Sequence, residues 1–225
     1  MGVSAVDIVN RALSKLGTDT IRSLDDNTTA SRLASNTYDF VRRAELSDMV
    51  WNFALVRTSI TYLVDGAGNP IVPAWNYGLT YQLPSDCLRV IQVSDIFNGV
   101  DLAEYRNQDD REYVIEGDKL ITNMTGNDLS ANVQPVGGVT PTPVPLPILY
   151  VADVTDTSKF HPLFVEALAC KLASDMCERL SQSTIKAQKA DAQYTQTMSR
   201  ARYVNAVQTP PQSRPDNTWI LSRVS

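Results

Sequence analysis

Between Pro162 and Leu180 two apolar rows lie side by side at helical spacing. Phe164, Leu168, Leu172 and Met176 recur every four residues, and Val165, Ala169, Ala173 and Cys177 fill the neighbouring row. A helix apolar over so wide a face cannot rest on a single neighbour, so it belongs at the centre of its domain with other elements around it. Pro162 suits the first turn, where the N–H that proline lacks would be unpaired anyway. The helical segments able to pack on it lie directly after it and near the N-terminus, which implies a domain built from both ends of the chain.

Ser4 to Leu16 reads as an amphipathic helix. Ser4 can cap it, with Asp7 at capping-box spacing. Val6, Val9, Leu13 and Leu16 form its inner face, and Gly17 stops it. A second helix starts near Asn27 or Thr28 and runs to about Asp48, with Ala30, Leu33, Ala34, Thr37, Tyr38 and Val41 inward. Trp51 and Phe53 follow it and are expected in the core, since large aromatics beside a helix end bury well. Ser181 to Thr184 breaks the apolar helix. A last helix from about Ile185 to Val207 carries Ala187, Ala190, Tyr194, Thr197, Ala201 and Val204, a narrow seam of mostly small residues that permits close approach.

The middle of the chain changes period. Ser59–Val64, Tyr77–Leu83, Leu88–Val93, Glu112–Ile115, Lys119–Thr122 and Ile148–Val154 read as strands. Asp65 to Pro70 is turn chemistry, and Glu116-Gly117-Asp118 joins a hairpin. Residues 127–147 hold five prolines and are expected to be an extended arm rather than a core strand. The tail, 208–225, adds Pro210, Pro211 and Pro215 before Trp219, Ile220 and Leu221, and has too little apolar surface for a core of its own. The expectation is an α+β fold: a helical bundle from residues 1–58 and 156–207, an inserted antiparallel β domain over 59–155, and an extended C-terminal tail.

At 225 residues, 43% hydrophobic and 20% charged, the chain can bury a core without staples. Its apolar runs fall short of the roughly 20 residues that a bilayer needs, so no membrane partner is expected. The N-terminus has neither a basic nor an apolar region of a signal peptide. A net charge of −5 argues against general nucleic-acid binding, but suits a surface that DNA passes without sticking. Cys170 and Cys177, seven residues apart on one helix, are about 10 Å apart at ~1.5 Å per residue, too far for a disulfide. With Cys87 they read as small buried hydrophobes in a reducing compartment.

Catalytic patterns are absent: no HExxH, CxxC pair, GxSxG or GxxxxGK[ST] occurs. The one histidine, His161, precedes Pro162 and reads as a cap or turn residue. Asp25 with Asp26, and Asp109, Asp110 and Glu112, are the carboxylate groups close enough in sequence for hydrolytic chemistry. All sit in polar turns, where Asp is common for local hydrogen bonds. No catalytic, cofactor or metal residue is assigned. Arg42 and Arg43 read either as a solvated face near Glu45 and Asp48, or as a contact for another subunit.

Several stretches together resemble the head-to-tail adaptor family of short-tailed bacteriophages, also called tail tubular protein A. They are Asp7-Ile8-Val9-Asn10-Arg11-Ala12-Leu13-Ser14-Lys15-Leu16-Gly17, Ile21 to Asp26, Tyr38-Asp39 with Arg42-Arg43, and Trp51-Asn52-Phe53-Ala54. Tyr81 to Val90, Glu116-Gly117, Val154-Thr155-Asp156 and Phe160 to Ala169 continue the series in order. Val50 stands where family members commonly have proline, and the arm at 127–147 is longer than theirs.

The resemblance implies a subunit of a dodecameric ring in the tail or neck of a virion, assembled in the host cytoplasm. Its partners would be the portal protein, the tail nozzle (tail tubular protein B) and further copies of itself, with genomic DNA passing through the lumen. It implies no cofactor and no catalysis. Trp219, Ile220, Leu221, Arg42 and Arg43 are then the candidate contacts for the portal or a neighbouring subunit. Two alternatives stand beside this: a virion-associated peptidoglycan hydrolase, and a neck or completion protein of a long-tailed phage.

Overall fold

The computed structural model describes residues 2–75, 77–93, 113–122 and 145–208. The fold is α+β, and the described residues form four helices and two small antiparallel sheets. Contacts divide the described chain into two compact units. One combines residues 2–55 with 151–208, and the other lies within 56–150.

The first unit holds helices α1 (Ala5–Leu16), α2 (Thr29–Asp48), α3 (Pro162–Leu180) and α4 (Thr184–Gln208). The start of α1 is a reciprocal capping box, with the Asp7 N–H donating to Ser4 Oγ and the Ser4 N–H to the Asp7 carboxylate. Its end is set by Gly17 at φ 65°, whose N–H reaches back to the Leu13 carbonyl. His161 caps α3, its Nδ1 accepting from the Leu163 N–H at 3.2 Å, as expected of a lone histidine at a helix start. α3 packs against α4, α1 and α2, and buries both of its apolar rows, Phe164 to Met176 and Val165 to Cys177. Gln182, at φ 47°, turns the chain between α3 and α4.

The inner face of α2 differs in part from the apolar reading. Ala34, Tyr38 and Val41 are buried, but so are Ser31, Arg42 and Glu45, while Ala30, Leu33 and Thr37 are only half-buried. Along α4 the seam is thin, and only Ala190, Met198 and Ala201 are fully buried. Cys170 and Cys177 are free and buried on α3, whereas Cys87 is half-buried in the second unit.

That second unit contains β2 (Leu79–Gln82), β3 (Cys87–Val93), β4 (Tyr113–Glu116), β5 (Lys119–Thr122) and all but the outer ends of β1 (Leu55–Ile60) and β6 (Leu146–Ala152). The strand orders are β1-β6-β3 and β2-β5-β4. The hairpin of β4 and β5 turns at Gly117, φ 64°, and pairs Glu116 with Lys119.

Two strand expectations are corrected. The first strand starts at Leu55, and residues 61–64 contribute only isolated bridges, Tyr62 to Tyr81 and Val64 to Pro70. The last strand begins at Leu146, inside the end of the expected proline arm, and includes Pro147. Proline's φ suits a strand, and near a strand's start it forfeits only one ladder bond, which the full burial of Leu146 outweighs. The rest of the arm, 127–144, and the tail from 209 lie outside the described residues.

Candidate functional site

The helical unit is tied together by polar side chains that reach between its elements. Asn10 of α1 clasps the following loop in both directions. Its Nδ2 donates to the Ile21 carbonyl at 2.9 Å, and the Ile21 N–H donates to its Oδ1 at 2.8 Å. The Asp26 carboxylate then accepts from the Arg22 and Ser23 N–H groups, and these bonds hold its carboxyl below the usual carboxylate range. Asp26 thus closes the turn in which it sits, the local hydrogen bonding expected of an Asp there. Asp109, Asp110 and Glu112 lie outside the described residues.

Arg42 requires a correction. Its side chain is only 4% exposed, so it belongs neither to a solvated face nor to a surface contact. Its Nη1 pairs with Asp153 and donates to the Val154 carbonyl at 2.7 Å, while Nε meets Asp39 at 3.3 Å. Helical periodicity puts position 42 one residue past Val41 on the inward face, and a buried arginine persists there because β6 ends with a carboxylate one residue beyond it. Arg43 points outward and reaches the other Asp153 oxygen at 3.2 Å. Of the pair, Arg43 alone offers a guanidinium to another molecule.

One turn further along α2, Glu45 is also buried, and its carboxylate accepts from the Tyr194 hydroxyl of α4 at 2.9 Å. Burial is the main cause that pushes its carboxyl above the usual range; Asp48 and Asp175 add to this, while Tyr194 and Lys171 oppose it. The Glu45 carbonyl accepts the indole N–H of Trp51 at 3.1 Å. Trp51 stands edge-on to Phe164, centroids 5.0 Å apart, and Phe164 also packs on Phe53 and Phe160. Trp51 is a core residue as expected, and Phe53 is half-buried. A small cleft over this cluster is lined by Trp51, Phe53, Lys159, His161 and Asn205 among others.

Because the folded state holds the Glu45 proton more tightly than the unfolded chain does, this group favours folding at low pH. That contribution is full below the ordinary glutamate range and is lost as pH rises through the raised folded value. Glu45→Gln keeps an acceptor for Tyr194 and removes the titration. The urea midpoint of the variant, compared with wild type from pH 4 to 8, should gain on wild type towards neutral pH. Parallel pH profiles would show that Glu45 is ionised at no cost.

Among the described residues, no group of three or more His, Cys, Asp or Glu is placed to hold a metal ion. Trp219, Ile220 and Leu221, the remaining candidate contacts, lie outside the described residues. No family model matches the chain, and no curated protein matches it either. The roles of Asn10, Glu45, Asp153 and Tyr194 have no signal in local periodicity. They follow from partners brought together by folding.

Proposed function

We propose that this chain is a structural virion protein, a ring-forming head-to-tail adaptor that joins a portal to a tail nozzle and lines the DNA exit channel. One observation carries the reading. The stretches resembling that family, from Asp7 to Ala169, include several of the residues whose side chains hold the helical unit together: Asp7, Asn10, Asp26, Arg42, Trp51 and Phe164. Residues spent on internal clasps preserve a shape, which is what a ring segment requires. The acidic balance of −5 suits a lumen that DNA traverses without adhering. The portal protein, the nozzle (tail tubular protein B) and further copies of the chain are its partners, and its place is the tail or neck of the particle. It needs no cofactor and performs no catalysis.

In this reading Trp219, Ile220 and Leu221 anchor the chain to the portal or to a neighbouring subunit, with Arg43 as a further contact. Tryptophan is the residue type most enriched among interface anchors. Full-length protein mixed with purified portal rings should sediment with them. A chain ending at Gln208 should keep its melting point and be lost from the rings, and Trp219→Ala should weaken retention about tenfold. Equal retention of the truncated chain would remove the anchor, and failure of the full chain to bind would overturn the adaptor reading. Clearing of a peptidoglycan suspension by the purified protein would favour a wall hydrolase instead.

A further inference from the structure

Helix α4 is long and thinly held. Of its 25 residues only Ala190, Met198 and Ala201 are fully buried, and two of these are alanines. By contrast α1, with 12 residues, buries Ile8, Val9, Ala12, Leu13 and Leu16. α4 lies mainly along α3, and its fastenings elsewhere are polar. Towards its N-terminal end Lys186 Nζ donates to the Leu16 carbonyl at 2.6 Å, and Gln193 Oε1 accepts from Lys15 Nζ at 3.2 Å. Towards its C-terminal end Asn205 Nδ2 donates to the Val50 carbonyl at 2.7 Å. In the middle the Tyr194 hydroxyl reaches Glu45 of α2 at 2.9 Å. An element with little buried apolar surface opens at a lower free-energy cost than the rest of its domain. The chain entering α4 bends at Gln182, φ 47°, where a change of a few backbone angles redirects the whole helix.

The middle fastening differs in kind from the others, because Glu45 is ionisable and only 5% exposed. The groups facing its carboxyl are Asp48 on α2, Lys171 and Asp175 on α3, and Tyr194 on α4, with Arg202 beside Tyr194. With α4 in place, burial holds the carboxyl above its usual range. With α4 lifted, the carboxyl meets water and titrates as an ordinary glutamate. The closed form therefore binds this proton more tightly than the open form. Its contribution to closure is full below the ordinary glutamate range and is lost as pH rises through the raised value.

We infer that α4 is a strap that lifts from α3 as a unit about Gln182, with the Glu45–Tyr194 contact as its latch. α1 and α2 still cover α3 from their own sides while the strap is lifted, so the other three helices stay packed. The helical unit then has two shapes, and acidity selects the closed one. The device lies within this unit and does not depend on the adaptor reading.

Hydrogen exchange of the full chain, read by peptide mass spectrometry from pH 4 to 8 and corrected for intrinsic rates, tests this. Amides of α4 should exchange through an opening that guanidinium accelerates less steeply than global unfolding, while those of α1 and α3 wait for global unfolding. Protection of α4 should fall as pH rises. Glu45→Gln should abolish that fall, and Asp175→Asn should keep it, because Glu45 is the group at the latch. At pH 8 Tyr194→Phe leaves the buried carboxylate without its donor and should lower α4 protection about tenfold. Amides of α4 that exchange in step with those of α1 and α3 would overturn the strap. A separate opening of α4 that ignores both pH and Glu45→Gln, or a pH trend that disappears with Asp175→Asn instead, would overturn the latch and the proposal with it.

Discussion

Trp51→Ala should destabilise the helical unit by about 3–5 kcal/mol, the range for removing a large buried aromatic. Trp51 is 2% exposed and meets Phe164 edge-on, and Phe164 stands on the central helix with Phe53 and Phe160 around it. Truncation thus removes one wall of an aromatic cluster and leaves a cavity against α3. It also frees the Glu45 carbonyl, which accepts the indole N–H. Trp51→Phe retains most of the packing and loses that hydrogen bond with a small part of the ring volume, so its cost should be smaller, about 1–3 kcal/mol. Urea unfolding followed by far-ultraviolet circular dichroism measures both. An unchanged midpoint for Trp51→Ala would mean that the cluster does not close over the indole in solution.

Arg42→Ala should cost about 3 kcal/mol, and Arg43→Ala less than about 1 kcal/mol, although the two are adjacent and share Asp153. The difference comes from burial. Arg42 is withdrawn from water, and its loss strips the Val154 carbonyl of its donor and Asp153 of its nearer cation. Arg43 has a side chain 58% exposed, so solvent screens its pairing with Asp153. The cost for Arg42→Ala sits at the low end for a broken buried pair because Arg43 still partners the carboxylate that remains. A double-mutant cycle with Asp153→Asn gives the coupling directly. Equal losses for the two arginines would place both on the surface.

Legibility in the sequence tracked the distance between interacting residues. The box of Ser4 and Asp7, the stop at Gly17, the cap at His161 and the hairpin at Gly117 are all local events, closed within a turn or two of chain. The double apolar row of α3 is likewise local, and its central place follows because no single neighbour could cover it. Strand ends were less legible. Pro147 is a local argument against a strand, and it is overruled by the burial of Leu146 and the strands on either side of β6.

Polar burial was beyond the reach of the sequence. Arg42 and Glu45 carry charge, and local periodicity treats charge as a mark of solvent. Their partners Asp153 and Tyr194 lie 111 and 149 residues away. Only the folding that sets α2 against α3 brings these partners within hydrogen-bonding distance, and desolvation then makes those pairings necessary. The helices, their caps and the central position of α3 were written in the sequence by itself, because apolar spacing and capping act over a few residues. Which charges are interior was decided by the tertiary structure, because it depends on what the fold brings within hydrogen-bonding distance.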